Sequence, residues 1–302
     1  MKVWFFGSTQ TKHIEKVFSS CGYEVLNSKN KHNGILSKFE TLFKLLKSDT
    51  IYCVSGIDIN KSSFFRLAAF LRKRIIVHWI GTDVLTFTQK YNESKKVINK
   101  NCINLSGSEL LQKELREIGI ESAVVPIVPT DFAFVAQKMP DKHAVLVYIP
   151  ETREDFYDMP LLKAMAERFP KLDFHIVANT GKNDLAPLSN VHYHGFLNSD
   201  EMLKLYEQCS ILFRYPKHDG LSMMVLEALG YGKSVIYKYE FPFVETPKNT
   251  TENGVAEAFE RVLSVKPAAN YEAIEFINSE FSLDKQIEKY NKAGVFLAKR
   301  EV

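Results

Sequence analysis

Short runs rich in β-branched and aromatic residues alternate with longer amphipathic runs along the whole chain, and this rhythm narrows the fold more than any other feature. Strand-like runs in the first half fall at 2–6 (KVWFF), 23–26, 50–54 (TIYCV), 74–79 (RIIVHW), 102–105 and 122–127, with helix-like runs at 10–20, 35–48, 61–73 and 108–118. Several of these strands are apolar at nearly every position, as strands covered on both faces must be. Alternation of this kind predicts parallel sheets flanked by helices. The segment VPIVPTDF at 125–132 carries two prolines, and the polar stretch from Gln137 to Lys142 leads into a second series of strands. These lie at 144–150, 173–178, 191–195, 210–215 and 234–238, with helices at 158–168, 199–208, 221–231, 252–264 and 270–277. A length of 302 residues suits two domains. The fold class expected is α/β with two Rossmann-like domains, over 1–135 and 136–281. Residues 282–302 form an amphipathic terminal helix that packs back on the first.

No apolar stretch reaches the roughly 18 residues that a membrane-spanning helix needs. The N-terminus opens directly as a strand, without the basic, apolar and small-residue regions of a secretory signal. The expected location is cytoplasmic, with a peripheral position on the inner membrane face as its variant. Cys21, Cys53, Cys102 and Cys209 lie far apart and read as small buried hydrophobes. Sequons at Asn60, Asn92, Asn104 and Asn249 are chance matches in a cytoplasmic chain. The net charge of +3 conceals an asymmetry: residues 1–130 hold 19 Lys and Arg against 11 Asp and Glu, whereas the remainder holds 20 against 25. A basic first half either faces something anionic or is a solvated lysine-rich surface.

One segment carries chemistry. Residues 210–238 read as strand, polar loop, helix and strand, so the loop Pro216–Lys217–His218–Asp219–Gly220 lies at the carboxyl end of a parallel strand, where open α/β sheets bind ligands. The following helix offers free backbone N–H groups and a positive dipole end, which suit a diphosphate. Gly220 permits close approach to the backbone, while Gly230 and Gly232 close the helix. Glu227 stands among Met223, Met224, Val225, Leu226, Ala228 and Leu229, and a carboxylate in such company needs hydrogen-bonding partners. The two hydroxyls of a ribose would supply them. Taken singly, Asp219 reads as a helix cap, His218 as a surface histidine and Glu227 as a solvated helix residue. Their joint spacing points to a site.

The run HDGLSMMVLEALGYGKSVI at 218–236 resembles the donor-binding helix of retaining, nucleotide-sugar-dependent glycosyltransferases of the GT-B fold, the group 1 or family 4-like enzymes. Their signature is acidic-x7-acidic with glutamate at both ends; here Asp219 replaces the first. The upstream run VHYHGFLNSDEMLKLYEQCSILF (191–213) is similar to the family's strand, glycine, turn, helix and strand. In the first half, IVHWIGTDVL (76–85) and INLSGSELLQKELREIGI (103–120) also resemble family segments. The resemblance implies two domains facing each other across a cleft and a metal-independent transfer with retention. It assigns Asp219 and His78 to catalysis; Arg214 joins them as a candidate on its own position at a strand end. The donor side would comprise Glu227, His218, Gly220, Leu221, Lys217, Arg153, Gly195 and Phe196, with the nucleobase near Gly195 and Phe196. Gly7, Ser8 and Asp83 would line the acceptor side. Two departures stand out. After the second domain's first strand the family has Arg followed closely by Lys-Gly, whereas YIPETREDFYDMPLL (148–162) offers Arg153 alone. The glycine-rich loop after the first strand is reduced to Gly7, Ser8 and Thr9. Either Arg153 serves the diphosphate, or Arg214 and Lys217 beside the acidic motif take over its charge; a strand-end arginine one residue from the loop favours Arg214 over an edge salt bridge.

No cluster with metal-ligand spacing occurs in the second half, so no metal and no cofactor is expected. The partners expected are a nucleotide-diphosphate sugar and a glycan or lipid-linked acceptor, in cell-surface polysaccharide or glycolipid synthesis. A non-catalytic nucleotide-sugar-binding subunit and a nucleotide-sugar epimerase are the alternatives. Basic residues are scattered and lack a stacking motif, which excludes nucleic acid. Helices 35–48 and 64–74 pair apolar stripes with cations. They read first as core helices with lysines facing water, and second as segments lying on an anionic membrane surface.

Overall fold

The computed structural model describes residues 1–6, 11–26, 35–55, 63–90, 102–128 and 133–296, the side chains of 35–38, 63–66 and 88–90 excepted. By contacts the chain divides into two compact units. One holds Met1–Asp131, His218–Leu221 and Phe281–Val302, and the other Phe132–Lys217 and Ser222–Glu280.

The first unit is built on a six-stranded parallel sheet. Its strands are β1 (Lys2–Phe6), β2 (Glu24–Leu26), β3 (Thr50–Val54), β4 (Arg74–Trp79), β5 (Cys102–Ser106) and β6 (Ala123–Val124), in the order β2-β1-β3-β4-β5-β6. The helices between them are α1 (Thr11–Ser20), α2 (Ile35–Lys47), α3 (Ser63–Phe70), α4 (Thr82–Lys90) and α5 (Glu109–Glu117). Every residue of β3 is buried, because apolar layers cover both sheet faces. Trp4, Leu45, Ala68, Trp79 and Phe87 belong to one layer, and Phe5, Phe18, Tyr52 and Tyr290 to the other. The helix α4 has no counterpart in the sequence reading. Its sequence TDVLTFTQK is rich in β-branched residues, and packing of Val84 and Phe87 overrides that weak propensity. Ser108 caps α5 by accepting from the Leu111 backbone N–H at 3.3 Å, and left-handed Gly119 (φ 78°) follows the helix.

The second unit has a five-stranded parallel sheet of β7 (Ala144–Tyr148), β8 (Asp173–Val177), β9 (Val191–Tyr193), β10 (Ile211–Arg214) and β11 (Ser234–Tyr237), in the order β11-β10-β7-β8-β9. Its helices are α6 (Met159–Arg168), α7 (Ser199–Gln208), α8 (Met223–Gly230), α9 (Glu252–Leu263) and α10 (Tyr271–Glu280). Strand order reverses between β7 and β10, which makes the carboxyl ends of those two strands the topological switch point.

The terminal helix α11 (Leu283–Lys292) belongs to the first unit and ends before left-handed Gly294 (φ 68°). Tyr290 is buried there with its hydroxyl 3.0 Å from that of Tyr52, and the Arg74 guanidinium donates to the carbonyls of Gly294 and Val295. The sequence reading carried this helix to 299; residues 297–302 lie outside the described residues.

Candidate functional site

At the switch point of the second unit, β10 delivers Arg214 and β7 leads through Ile149 and Pro150 into a short 3-10 turn at Glu151–Arg153. These elements put two guanidinium groups around one ring. The Arg214 Cζ lies 5.4 Å from the centroid of Tyr157 and the Arg153 Cζ 5.6 Å from it, with Arg153 also 4.0 Å from Phe156. Arg214 is buried, at 9% exposure. Stacking on aromatic faces steadies both guanidinium groups. Lys217 takes a different part. Its Nζ is 2.6 Å from Asp155, and both side chains are exposed, so the pair is a solvated surface bridge.

Helix α8 begins at Met223, two residues later than its sequence suggests. Ser222 is the cap, accepting from Met224 N–H at 3.2 Å, and Leu221 stands outside with a left-handed φ of 86°. The single-residue reading of Asp219 as that cap is therefore replaced. Burial on nearly all sides follows from MMVLEALG, which carries one polar residue in eight. That residue, Glu227, is far from solvated. Burial raises its pKa, and a hydrogen bond from the Tyr206 hydroxyl at 3.1 Å opposes the rise. Tyr206 is itself pushed well above the usual phenol range by burial and by the Glu227 charge, with Arg214 acting in the opposite direction. One donor among the described residues leaves this half-buried carboxylate with acceptor capacity that other hydroxyls could fill.

At the ends of β8 and β9 the backbone is knotted around Gly195. This glycine has φ 65°, donates to the Asn179 carbonyl at 2.8 Å and accepts from Ala178 N–H. Asn179 is buried; its amide donates to Glu154 at 2.7 Å and its Oδ1 accepts from Gly181 N–H at 2.8 Å. Glu151 accepts from the backbone and hydroxyl of Thr180 and pairs with Lys182, which together hold its carboxyl down at about 2. The turn after β7 is thus tied to the loop after β8. Phe196 follows the knot at 86% exposure, a free aromatic face beside rigid backbone.

Several expected residues fall in the first unit. His78, on β4, is fully buried: the Tyr52 hydroxyl is 2.6 Å from Nδ1 and the Val125 carbonyl 2.7 Å from Nε2. Burial lowers its pKa to about 4, so it is a neutral imidazole with both nitrogens engaged by protein. It offers no ring nitrogen to a donor sugar in this arrangement. Asp83 is also buried, and its carboxylate accepts from Gly81 N–H at 2.8 Å and Ile80 N–H at 3.1 Å, closing the turn before α4. Gly7 and Ser8 lie outside the described residues.

The segment 218–221 groups with the first unit. His218 is buried, with Nε2 2.9 Å from the Glu114 carboxylate and Nδ1 without a protein partner. It is not the surface histidine of the single-residue reading. A Cβ on Gly220 would run into the Ile80 carbonyl, so glycine is required there by protein packing, a reason unavailable from sequence. Asp219 accepts from Gly220 N–H at 3.0 Å. Sequence reasoning missed Tyr206, Tyr157 and Asn179, which hold Glu227, the two arginines and the Gly195 knot. An aromatic and an amide carry no motif; only the pairing of strand ends signals them.

Two parallel-sheet α/β domains of six and five strands define the GT-B glycosyltransferase fold, and this chain has that fold. Among solved structures it is similar over nearly all of both chains to the lipopolysaccharide outer core galactosyltransferase WaaB in its apo form. The TM-score is 0.67 at 15% identity, covering 97% of this chain and 99% of WaaB. TarM matches with TM-score 0.57 at 14% identity, over 81% of this chain and 54% of TarM. The pneumococcal O-GlcNAc transferase GtfA, solved with UDP and GlcNAc, matches with TM-score 0.56 at 13% identity, over 87% and 60%. This chain therefore spans little more than half the length of TarM and GtfA. No family model and no curated protein sequence matches it. Among the described residues, no group of three or more metal-ligating side chains could hold a metal ion, and no helix is long and apolar enough to cross a membrane.

Proposed function

We propose that this chain is a glycosyltransferase that moves a sugar from a nucleotide-diphosphate donor to a glycan or lipid-linked acceptor, with retention and without a metal. The observation that carries the reading is the half-buried Glu227 carboxylate, with one hydrogen-bond donor among the described residues, in the same sheet-and-helix unit as two arginines stacked at the switch point. In this reading Glu227 accepts from the ribose hydroxyls, and the exposed ring of Phe196 beside Gly195 meets the nucleobase. Asp219 keeps the contact with the donor sugar that the sequence resemblance gives it, and backbone N–H groups of Gly220 and Leu221 serve the diphosphate.

Breaking the bond from anomeric carbon to diphosphate develops negative charge on the leaving oxygen. Fixed cations and dipoles aimed at that oxygen lower the barrier, most of all away from bulk water. Arg214, with Arg153 beside the same ring, supplies the charge that the family's missing Lys would have given. GtfA was solved with UDP, and the fold shared with it favours a nucleoside diphosphate as the bound portion of the donor.

The test is titration calorimetry with a panel of nucleoside diphosphates, on the native protein and on Glu227→Gln. One nucleotide should bind the native protein and lose about tenfold or more in affinity in the variant, since an amide accepts from two hydroxyls less well than a carboxylate. Equal affinity in both proteins would remove Glu227 from the site. Product formed from nucleotide-sugar without any acceptor would point to epimerisation, and donor binding without turnover on any acceptor to a binding subunit.

A further inference from the structure

The helices α2 and α3 carry exposed apolar side chains among the described residues. On α2, Phe39 (66% exposed), Leu42 (40%), Phe43 (56%) and Leu46 (56%) recur at the three- and four-residue spacing of one helix face, while Leu45 turns into the core. On α3, Phe70 is 82% exposed while Ala68 is buried. Leu45 and Ala68 enter the same core layer, so both helices lie on one face of the sheet. Lys73, just past α3, donates to the carbonyls of Leu46 (3.1 Å) and Ser48 (2.6 Å), which fixes the end of α3 against the end of α2. The exposed stripe and Phe70 thus belong to one continuous patch.

Cations stand at the edge of the patch, and the one acidic residue on α2 is paired within the helix. Glu40 is neutralised by Lys44 at 2.6 Å. Lys47 lies with its Nζ 4.2 Å from the Phe43 ring centroid, its stem along the aromatic face and its ammonium at the rim, and Arg72 is exposed just beyond Phe70. The first 130 residues carry the chain's cationic excess. Aromatic and leucine side chains ringed by cations fit one kind of partner better than others: the interface of a bilayer bearing anionic lipid, where rings sink to the level of the acyl chains and cations meet headgroup phosphates. A second copy of the chain would bring Lys47 and Arg72 toward like charges.

We propose that this patch, made of Phe39, Leu42, Phe43, Leu46 and Phe70 with Lys47 and Arg72 at its edge, docks the protein on an anionic membrane surface. The proposal goes beyond the transfer reaction and does not depend on it, since no donor-site residue takes part.

The experiment is co-sedimentation of the full chain with vesicles of phosphatidylcholine mixed with phosphatidylglycerol, beside vesicles of phosphatidylcholine alone. The native protein should pellet with the anionic vesicles, and the bound fraction should fall as salt rises. The triple variant Phe39→Ser/Phe43→Ser/Phe70→Ser should bind about tenfold more weakly or less, at unchanged thermal stability because all three rings are already in water. Lys47→Glu/Arg72→Glu should weaken binding to anionic vesicles and leave the small binding to neutral ones alone. A native protein that stays in the supernatant at low salt overturns the proposal, and so does a triple variant that pellets as well as the native chain. Light scattering in lipid-free buffer provides the remaining check: a dimer in the native protein that the triple variant dissolves would make the patch a contact between copies and overturn membrane docking.

Discussion

His78 and Glu227 are both ionisable side chains enclosed by apolar neighbours, one in each unit, and they are treated in opposite ways. Around His78 the protein completes the account, with a hydroxyl at one ring nitrogen and a carbonyl at the other. Around Glu227 it stops at a single phenol, and burial holds the carboxyl above its ordinary range. A buried polar group satisfied by protein is a structural element, whereas one left short of partners stores a demand that a ligand can meet. Asp83 caps its own turn with its carboxylate, and the Arg214 guanidinium is steadied by a ring. The sequence put forward all four residues as site candidates, three of them through or beside a family resemblance. Their hydrogen-bonding inventory tells them apart.

The strongest way to break this contrast is Arg214→Ala. If the arginine answers the leaving diphosphate, kcat should fall about a hundredfold or more while KM for the donor changes far less, as read by initial rates over a donor series. A variant that loses only donor affinity would make Arg214 a ground-state anchor.

Next in size is His78→Leu, which should cost about 1 to 3 kcal/mol in urea unfolding, because the Val125 carbonyl and part of the Tyr52 hydroxyl's bonding are left unmet. Nucleotide affinity should stay within about twofold. The substitution also has a pH signature. The folded pKa of about 4 lies below the ordinary 6.5, so the unfolded chain binds more protons between those values. Stability is full above pH 6.5 and is lost as pH falls toward 4, by up to about 3 kcal/mol from this group. The variant should lose that part of the slope. His175 is also lowered to about 4, chiefly by burial and then by His192 and His194, so the slope shrinks without vanishing. An unchanged slope would show that His78 is not held neutral.

The smallest effect is expected at Lys233, which is buried, donates to the Lys138 carbonyl at 3.2 Å and is lowered to about 8 by desolvation. Its folded pKa lies below the usual 10.5, so stability should rise as pH climbs from about 8 to 10.5. Lys233→Met should flatten this rise and leave stability at neutral pH within about 1 kcal/mol, as followed by thermal melts across that range.

Much of the fold was legible because its code is local. The rhythm of TIYCV, RIIVHW and AVLVY against amphipathic runs is itself the physics of strands buried on both faces. Ser108, Gly119 and Ser282 mark helix ends through bonds made within a few residues. What could not be read locally was α4, whose β-branched sequence is overruled by packing, and the start of α8 at Met223, set by Ser222 and not by the loop before it. For the candidate site, Glu227 was visible as the lone charge in an apolar helix. Tyr206, 21 residues away, was not, since nothing in a tyrosine's neighbours announces which carboxylate its hydroxyl will meet.

By itself, then, the sequence determined two parallel sheets, their order of elements and the candidate donor segment, because periodicity and capping act over a few residues. Tertiary structure alone decided which buried polar groups are satisfied, that Gly220 exists to clear the Ile80 carbonyl, and that the α2 face is left bare. These are properties of groups far apart in the chain, and only the packed sheet brings them within hydrogen-bonding or contact distance or leaves them without a neighbour.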